Sequence, residues 1–436
     1  MRDLFVAAIV FGLLPYALTR PYVSLYLYSW ISYMNPHRLT YGWAFTFPWA
    51  AIVAVIILAG VLIWKEPKRM PWTRELTVLT LFVGWMLVTT IFSFYPDLAW
   101  EQMNKIAKIQ LMIFLTPLVI NTKERLRNLV WVITLSIGFF GVKGGIFTIL
   151  HGGAFRVQGP EGSFIEGNNE LALALLMTIP LMRYLQLTEP KRWIQLALGA
   201  SMVLTGLSIV GSQSRGALIG GCAIMLFLWL KSRNKFTAAI PIVAVVALVS
   251  LIMPQEWYDR MATIQTYQED GSALGRINAW WTAWHVAVNN PLGGGLEMFQ
   301  PHTFDLYAPD PNRVYFAHSI YFQVLGEHGF VGFFLFILLG LLAWRTGSKV
   351  IRAAKHDPKN KWAADLAAMG QVSLIGYATA GAFLGLAYFD LPYHLVVIIV
   401  LTKVLLEKDG VTLKPNRIFG KLVQAPPKLP VQSTRT

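Results

Sequence analysis

Apolar residues in this chain run continuously rather than alternating with polar ones. "WAFTFPWAAIVAVIILAGVLIW" (43–64) and "FTAAIPIVAVVALVSLIM" (236–253) are clear cases, each close to the roughly 20 residues that span a bilayer. Continuous runs exclude a transmembrane β-barrel, whose strands alternate. Basic residues punctuate the runs. They gather at Lys65, Lys68, Arg69 and Arg74, at Lys123, Arg125 and Arg127, at Arg183, Lys191 and Arg192, and at Lys231, Arg233 and Lys235. The stretch 345–361 and the tail from Lys408 continue the series.

Placing these clusters on the cytoplasmic side predicts an all-α polytopic membrane protein with about twelve crossings and both termini cytoplasmic. The spans are 4–34, 43–64, 75–95, 104–120, 126–150, 170–187, 193–211, 215–231, 236–253, 318–344, 365–386 and 389–406. The first is long enough for two segments, but two would move the N-terminus outside, so it is read as one crossing broken near Pro21. No small-residue cleavage site follows it, which makes it a retained anchor rather than a signal peptide. The predicted organisation is transmembrane helices 1–9 over residues 1–253, an outer loop with amphipathic helices over 254–317, helices 10–12 over 318–406, and a cytoplasmic tail over 407–436.

Composition agrees with this reading. Of 436 residues, 55% are hydrophobic and 14% charged, against about 25% charged in soluble domains. The net charge of +14 lies in alternate loops, so it marks a lipid bilayer partner and not nucleic acid. Cys222 is the single cysteine, which excludes an internal disulfide.

Chemistry is concentrated on the outer face. In "IVGSQSRGALIGG" (209–221), Arg215 opens a span with Ser212 and Ser214 beside it. Its ordinary explanation is a snorkelling arginine at a helix end. Boundary arginines gather on the inside, however, and this one is outside. A guanidinium there suits a phosphate, which it can bind through two parallel hydrogen bonds. Arg276 in "LGRINAWW" is the second outer cation, on a tryptophan-rich amphipathic helix expected at the bilayer interface. That segment is a candidate gate over the site, hinged near Gly271 and Gly293. Arg156 in a short outer loop and Lys143 within the fifth span are further candidates, each with an ordinary explanation as a solvated or snorkelling charge.

His318 begins the tenth span on the outer face. An imidazole with an ordinary pKa near 6.5 is mostly neutral at pH 7 and accepts a proton. Glu327 and His328, deeper in the same span, are read as packing groups or as supports behind the site. Asp305 and Asp310 are read as solvated loop carboxylates, and the outer loop "NPHRLTYG" (35–42) has no acid. No metal and no other cofactor is therefore expected.

These elements in this order resemble the bacterial O-antigen ligase and polymerase superfamily, most closely its ligase-like branch, which includes O-glycosylation ligases found with exosortase systems. The matching residues are Ser214–Arg215, Arg276 with Trp280, "NPLGGG" at 290–295, and His318–Ser319 followed by Gly329 and Gly332. Relatives often have asparagine where this chain has Ser319. The resemblance implies a fold of the GT-C-like kind shared by lipid-donor glycosyltransferases, in the bacterial inner membrane. It implies transfer of a glycan, with inversion, from undecaprenyl pyrophosphate to a sugar hydroxyl of lipid A–core on the periplasmic face. His318 would be the general base and Arg215 and Arg276 the pyrophosphate cations. Arg156, Lys143, Ser212, Ser214, Ser319 and Trp280 would bind substrate. A polymerase or a protein O-oligosaccharyltransferase of the same superfamily is the near alternative. A lipid-linked glycan exporter is the alternative of another class, but neither related halves nor paired broken mid-membrane helices are visible.

Overall fold

The computed structural model describes residues 1–66, 68–232, 234–262 and 271–413. Arg233, residues 263–270 of the expected outer loop and residues 414–436 of the expected tail lie outside the described residues. Sixteen α-helices are described. The first ten are α1 (Arg2–Thr19), α2 (Pro21–Met34), α3 (Trp49–Ile63), α4 (Arg74–Ile91), α5 (Pro96–Val119), α6 (Lys123–Leu150), α7 (Asn168–Thr188), α8 (Arg192–Gly211), α9 (Arg215–Lys231) and α10 (Lys235–Ile252). The others are α11 (Gln255–Ala262), α12 (Gly271–Asn289), α13 (Pro301–Tyr307), α14 (Ile320–Ala354), α15 (Lys361–Ala380) and α16 (Asp390–Lys408).

Six of them, α1, α4, α6, α7, α8 and α14, are long and apolar enough to cross a membrane. The end of α10 with α11, bent by 113°, makes a seventh if counted as one span. Large apolar side chains such as Leu62, Phe236 and Leu251 stand exposed on the outside of the bundle, where lipid rather than water covers them. The chain is a multi-pass membrane protein. At its centre α16 is buried on every side from Asp390 to Thr402, as a helix apolar all round must be.

The N-terminal stretch corrects the sequence reading. α1 and α2 are not one broken crossing but an antiparallel hairpin. Arg20 between them leaves helical geometry (φ −132°, ψ 84°) and Pro21 starts α2 at its first position, where a missing N–H costs nothing. The Ser24 hydroxyl donates back to the Ala17 carbonyl at 2.9 Å. At the start of α1, Arg2 donates to the Leu39 carbonyl and Asp3 accepts from the Ala44 N–H. At its end, the Leu18 carbonyl packs on Gly60, near the far end of α3. α1 therefore runs in the same direction as α3, and α2 returns. Residue 1 lies at the opposite end of the bundle from Lys408, so the N-terminus and the end of α16 do not share a face, whereas both termini were expected on one; the C-terminus itself lies outside the described residues. Each of the other eleven expected crossings is represented by one helix.

α14 contains a second feature that hydropathy hides. Gly329 has φ 64° and ψ −169°, a region essentially restricted to glycine, and it breaks the helix in two. The loop 290–296 passes through the break. Gly294 N–H donates to the Gly326 carbonyl and Gly295 N–H to the Glu327 carbonyl, at 2.8 and 2.9 Å. On its other side the Gly294 carbonyl accepts from Phe94 N–H at 2.9 Å. Glu327 adds a second tie: its carboxylate accepts from the Glu297 N–H and from the Tyr388 hydroxyl. The Trp85 indole donates to the His328 carbonyl, and Thr89 bonds the His328 ring. These contacts match the packing role read for Glu327 and His328. They also hold the loop at Gly293, one of the two expected hinge positions, where an added Cβ would sit 2.6 Å from the Gly329 nitrogen.

A Cβ on Gly329 would lie 2.3 Å from the Pro291 carbonyl oxygen. Gly329→Ala is therefore expected to destabilise the protein by about 1–3 kcal/mol or more. Thermal unfolding in detergent measures this, and an unchanged melting temperature would show that the 290–296 loop is not fixed at this point.

Candidate active site

The backbone around His318 is pinned on both sides. Before it, the Trp280 indole N–H donates to the Ala317 carbonyl at 2.7 Å. After it, Ile320 N–H donates to the Gly381 carbonyl at 2.8 Å as α14 begins. Between these anchors His318 adopts φ 41°, a left-handed conformation that residues with a side chain seldom take. The Phe316 ring meets the imidazole edge-on at 5.5 Å. The His318 Nδ1 is buried with no hydrogen-bond partner among the described residues. Burial, with a smaller contribution from the Arg276 charge, pushes the imidazole pKa down to about 4. His318 is thus neutral at pH 7, with a ring nitrogen able to accept a proton.

Arg276 lies one helical turn before Trp280 on α12, on the same face. Its Nη1 donates to the Phe383 carbonyl at 3.4 Å, and it interacts electrostatically with His318 and with Glu170 of α7. Trp280 stacks flat on Phe322, with ring centroids 5.0 Å apart and planes 8° from parallel. That stack fixes α12 against α14 and so joins Arg276 to the His318 turn.

Arg215 is the first residue of α9. Next to it, Gly216 packs so tightly that a Cβ there would be 3.0 Å from the Phe383 Cβ. A Cβ added at Gly385 would in turn sit 3.9 Å from the Cα of His318. The turn between α15 and α16, residues 381–389, is thus the common neighbour of all three elements. The sequence reading ran this turn into the span 365–386, whereas α15 ends at Ala380.

The serines beside Arg215 serve the turn itself. Ser212 donates to the Ile209 carbonyl at 2.6 Å and accepts from Ser214 N–H. Ser214 caps α9 by accepting from Ala217 N–H at 3.2 Å, the usual device for an orphan amide at a helix start. Asn168 donates to the Ser212 carbonyl and Gln213 to the Gly153 carbonyl, so the 151–170 loop is tied to the same turn. Ser319 is the N-cap of α14, but its buried hydroxyl makes no hydrogen bond among the described residues. Arg156 and Lys143 line a different cleft, with Gln158 and Phe147.

Glu170 was not singled out in the sequence. An acid in the first turn of a helix is ordinarily read as a partner for the helix dipole, which disguises its place beside Arg276. Among the described residues no group of three or more His, Cys, Asp or Glu is placed to hold a metal ion.

Residues 200–337 match the family described as O-Antigen ligase, and residues 1–189 match a family of unknown function, DUF5935. No curated protein matches the chain. The segment 200–337 that is similar to the O-antigen ligase family contains Arg215, Arg276, Trp280 and His318. The resemblance read from the sequence is met over these residues.

Trp280→Phe keeps the ring stack and removes the donor to Ala317. One lost neutral hydrogen bond is worth about 1 kcal/mol, so thermal unfolding in detergent is expected to show a loss of about that size. An unaltered melting temperature would show that the His318 turn holds its geometry without the indole.

Proposed function

We propose that this protein is an O-antigen ligase-type glycosyltransferase. It moves a glycan from undecaprenyl pyrophosphate to a sugar hydroxyl of lipid A–core, with inversion, on the periplasmic face of the inner membrane. The observation that carries this reading is the pairing of His318 with Arg276: a neutral, strained and desolvated imidazole beside a fixed guanidinium.

The chemistry follows from that pairing. The acceptor hydroxyl attacks the anomeric carbon and gives its proton to His318 as the new C–O bond forms. The bond from the anomeric carbon to the pyrophosphate oxygen breaks, and the lipid pyrophosphate leaves with the electron pair. Arg276 and Arg215 stabilise the charge that develops on it. Preorganised cations in a dry wall do this without reorganising during the reaction.

Sidedness rests on the opposite end of the bundle. Arg125 pairs there with Glu66 at 2.7 Å, and Lys408 and Asp409 interact with Glu66 and Lys123. α16 runs from the turn beside His318 to Lys408, about 28 Å at 1.5 Å per residue. The basic end is the cytoplasmic one under the positive-inside rule, which leaves His318 outside. We place thirteen helices across the bilayer, α1 to α10 and α14 to α16, in a GT-C-like arrangement with the N-terminus periplasmic.

Gene deletion tests the function. Loss of the long-chain lipopolysaccharide ladder with accumulated lipid-linked glycan supports the ligase. A single-repeat band identifies a polymerase, and unchanged lipopolysaccharide with altered glycoprotein identifies a protein-directed transferase. Flipping of lipid-linked glycan in liposomes without covalent product identifies an exporter. Since the proposed leaving-group charge is met by arginines, transfer is expected to survive thorough chelation. Strict dependence on added magnesium would defeat that part.

A further inference from the structure

α6 carries Phe140, Lys143 and Phe147 on one face, at the helical spacing that stacks side chains. The 156–160 segment closes over this face, and together they form a cleft of about 210 Å³. Lys143 and Arg156 both line it, with Gln158 as a further polar group and Leu39 on the rim. No Asp or Glu lines the cleft, and among the described residues neither cation has an ion pair or hydrogen bond. Lys143 lies seven residues before the end of α6, about 10 Å along the helix axis. Both cationic side chains are exposed, and a lysine about two turns inside a helix read as membrane-spanning ordinarily has a functional reason. Arg276 and His318 are not among the residues that line this cleft.

We propose that the Lys143–Arg156 cleft binds the phosphate group of a second membrane lipid, which in the proposed reaction is the acceptor. The inference rests on the transferase reading for the word acceptor, but not for the site. Two cations without an acid select an anion. A lysine at membrane depth flanked by phenylalanines selects one attached to a lipid rather than one free in water. The donor pyrophosphate is left to Arg215 and Arg276, so the two anionic headgroups occupy separate sites and do not compete.

The full-length protein in phosphatidylcholine nanodiscs provides the test. The probes are a phosphorylated disaccharide lipid and the same lipid with its phosphates removed. The native protein is expected to bind the phosphorylated form at least about tenfold more tightly, the effect of one or two charge-assisted contacts. The double variant Lys143→Gln with Arg156→Gln is expected to lose that preference while KM for the donor is unchanged. Equal binding of the two lipids by the native protein overturns the proposal without any variant being made. So does a preference that survives the double substitution. Complete displacement by millimolar inorganic phosphate shows a free-anion site instead, and one-for-one displacement by donor assigns the cleft to the donor site. A protein that binds the phosphorylated lipid through this cleft and transfers nothing sinks the transferase reading and leaves the site standing. One that transfers equally well to phosphate-free acceptors does the reverse.

Discussion

Arg276→Ala is expected to lower turnover by about 10²–10³-fold, the cost typical of removing one preorganised group that meets transition-state charge. The loss should fall on kcat as well as on donor KM, because charge on the pyrophosphate is greater in the transition state than in the bound donor. Arg276→Lys keeps the charge but loses the planar fork, so it should be impaired, though less than alanine. Arg215→Ala is expected to behave similarly, since Arg215 approaches the same Phe383–Leu384 segment through its neighbour Gly216. If both arginines hold one pyrophosphate, the double variant loses less than the sum of the two singles. Strict additivity would give them separate roles. A further sign is specific to Arg276. Its charge helps hold the His318 pKa down, so its removal should move the acid limb of the kcat/KM profile to higher pH. Full activity in a well-inserted Arg276→Ala protein would remove it from the site.

What could be read in advance follows the nature of each signal. Arg215 and His318 stood out because each opens an apolar run at its expected outer end, and Arg276 because it lies on the tryptophan-rich helix of the outer loop. Their order along the chain supplied the rest. The direction of a helix leaves no such trace. Residues 4–34 read equally well as one long crossing or two short ones, and only the contacts of Asp3 with Ala44 and of Leu18 with Gly60 decide. The loop-charge rule favoured the wrong choice because it assumed where the N-terminus lies. Ser212 and Ser214 were read as substrate ligands for their chemistry, and in the fold the Ser214 hydroxyl also caps the start of α9 while that of Ser212 bonds within the preceding turn. The spacing from His318 to Gly329 was recognised as a pattern without a cause. Its cause is the length of the short helix that separates the pinned turn from the break at Gly329. The turn at 381–385 was invisible because "GAFLGL" is as apolar as the helices on either side.

His318→Ala is expected to cost about 10²–10⁴-fold in kcat, the usual range for loss of a general base, while the protein still inserts and still binds donor through its arginines. The pH profile carries a sharper prediction, because the imidazole pKa is lowered to about 4 in the unliganded site. Only the neutral ring accepts a proton. The rate should therefore fall as pH drops through the histidine pKa, and kcat/KM, which reports the free enzyme, should hold its plateau well below pH 6.5 before declining. In the proposed reaction the bound donor places a pyrophosphate beside the ring. A nearby negative charge favours the protonated form and raises the pKa. The acid limb of kcat, which reports the enzyme–substrate complex, should accordingly lie at higher pH than that of kcat/KM. This shift also resolves a difficulty: a base of pKa about 4 is a weak one, and the donor's own charge strengthens it when the reaction needs it. His318→Gln accepts a hydrogen bond but cannot take the proton, so its residual rate should be low and independent of pH across this range. Near-native rates for His318→Gln would leave His318 only an orienting role. Coincident limbs at pH 6.5 for kcat and kcat/KM in the native protein would show an imidazole that is solvated and far from the pyrophosphate, and would move the base elsewhere.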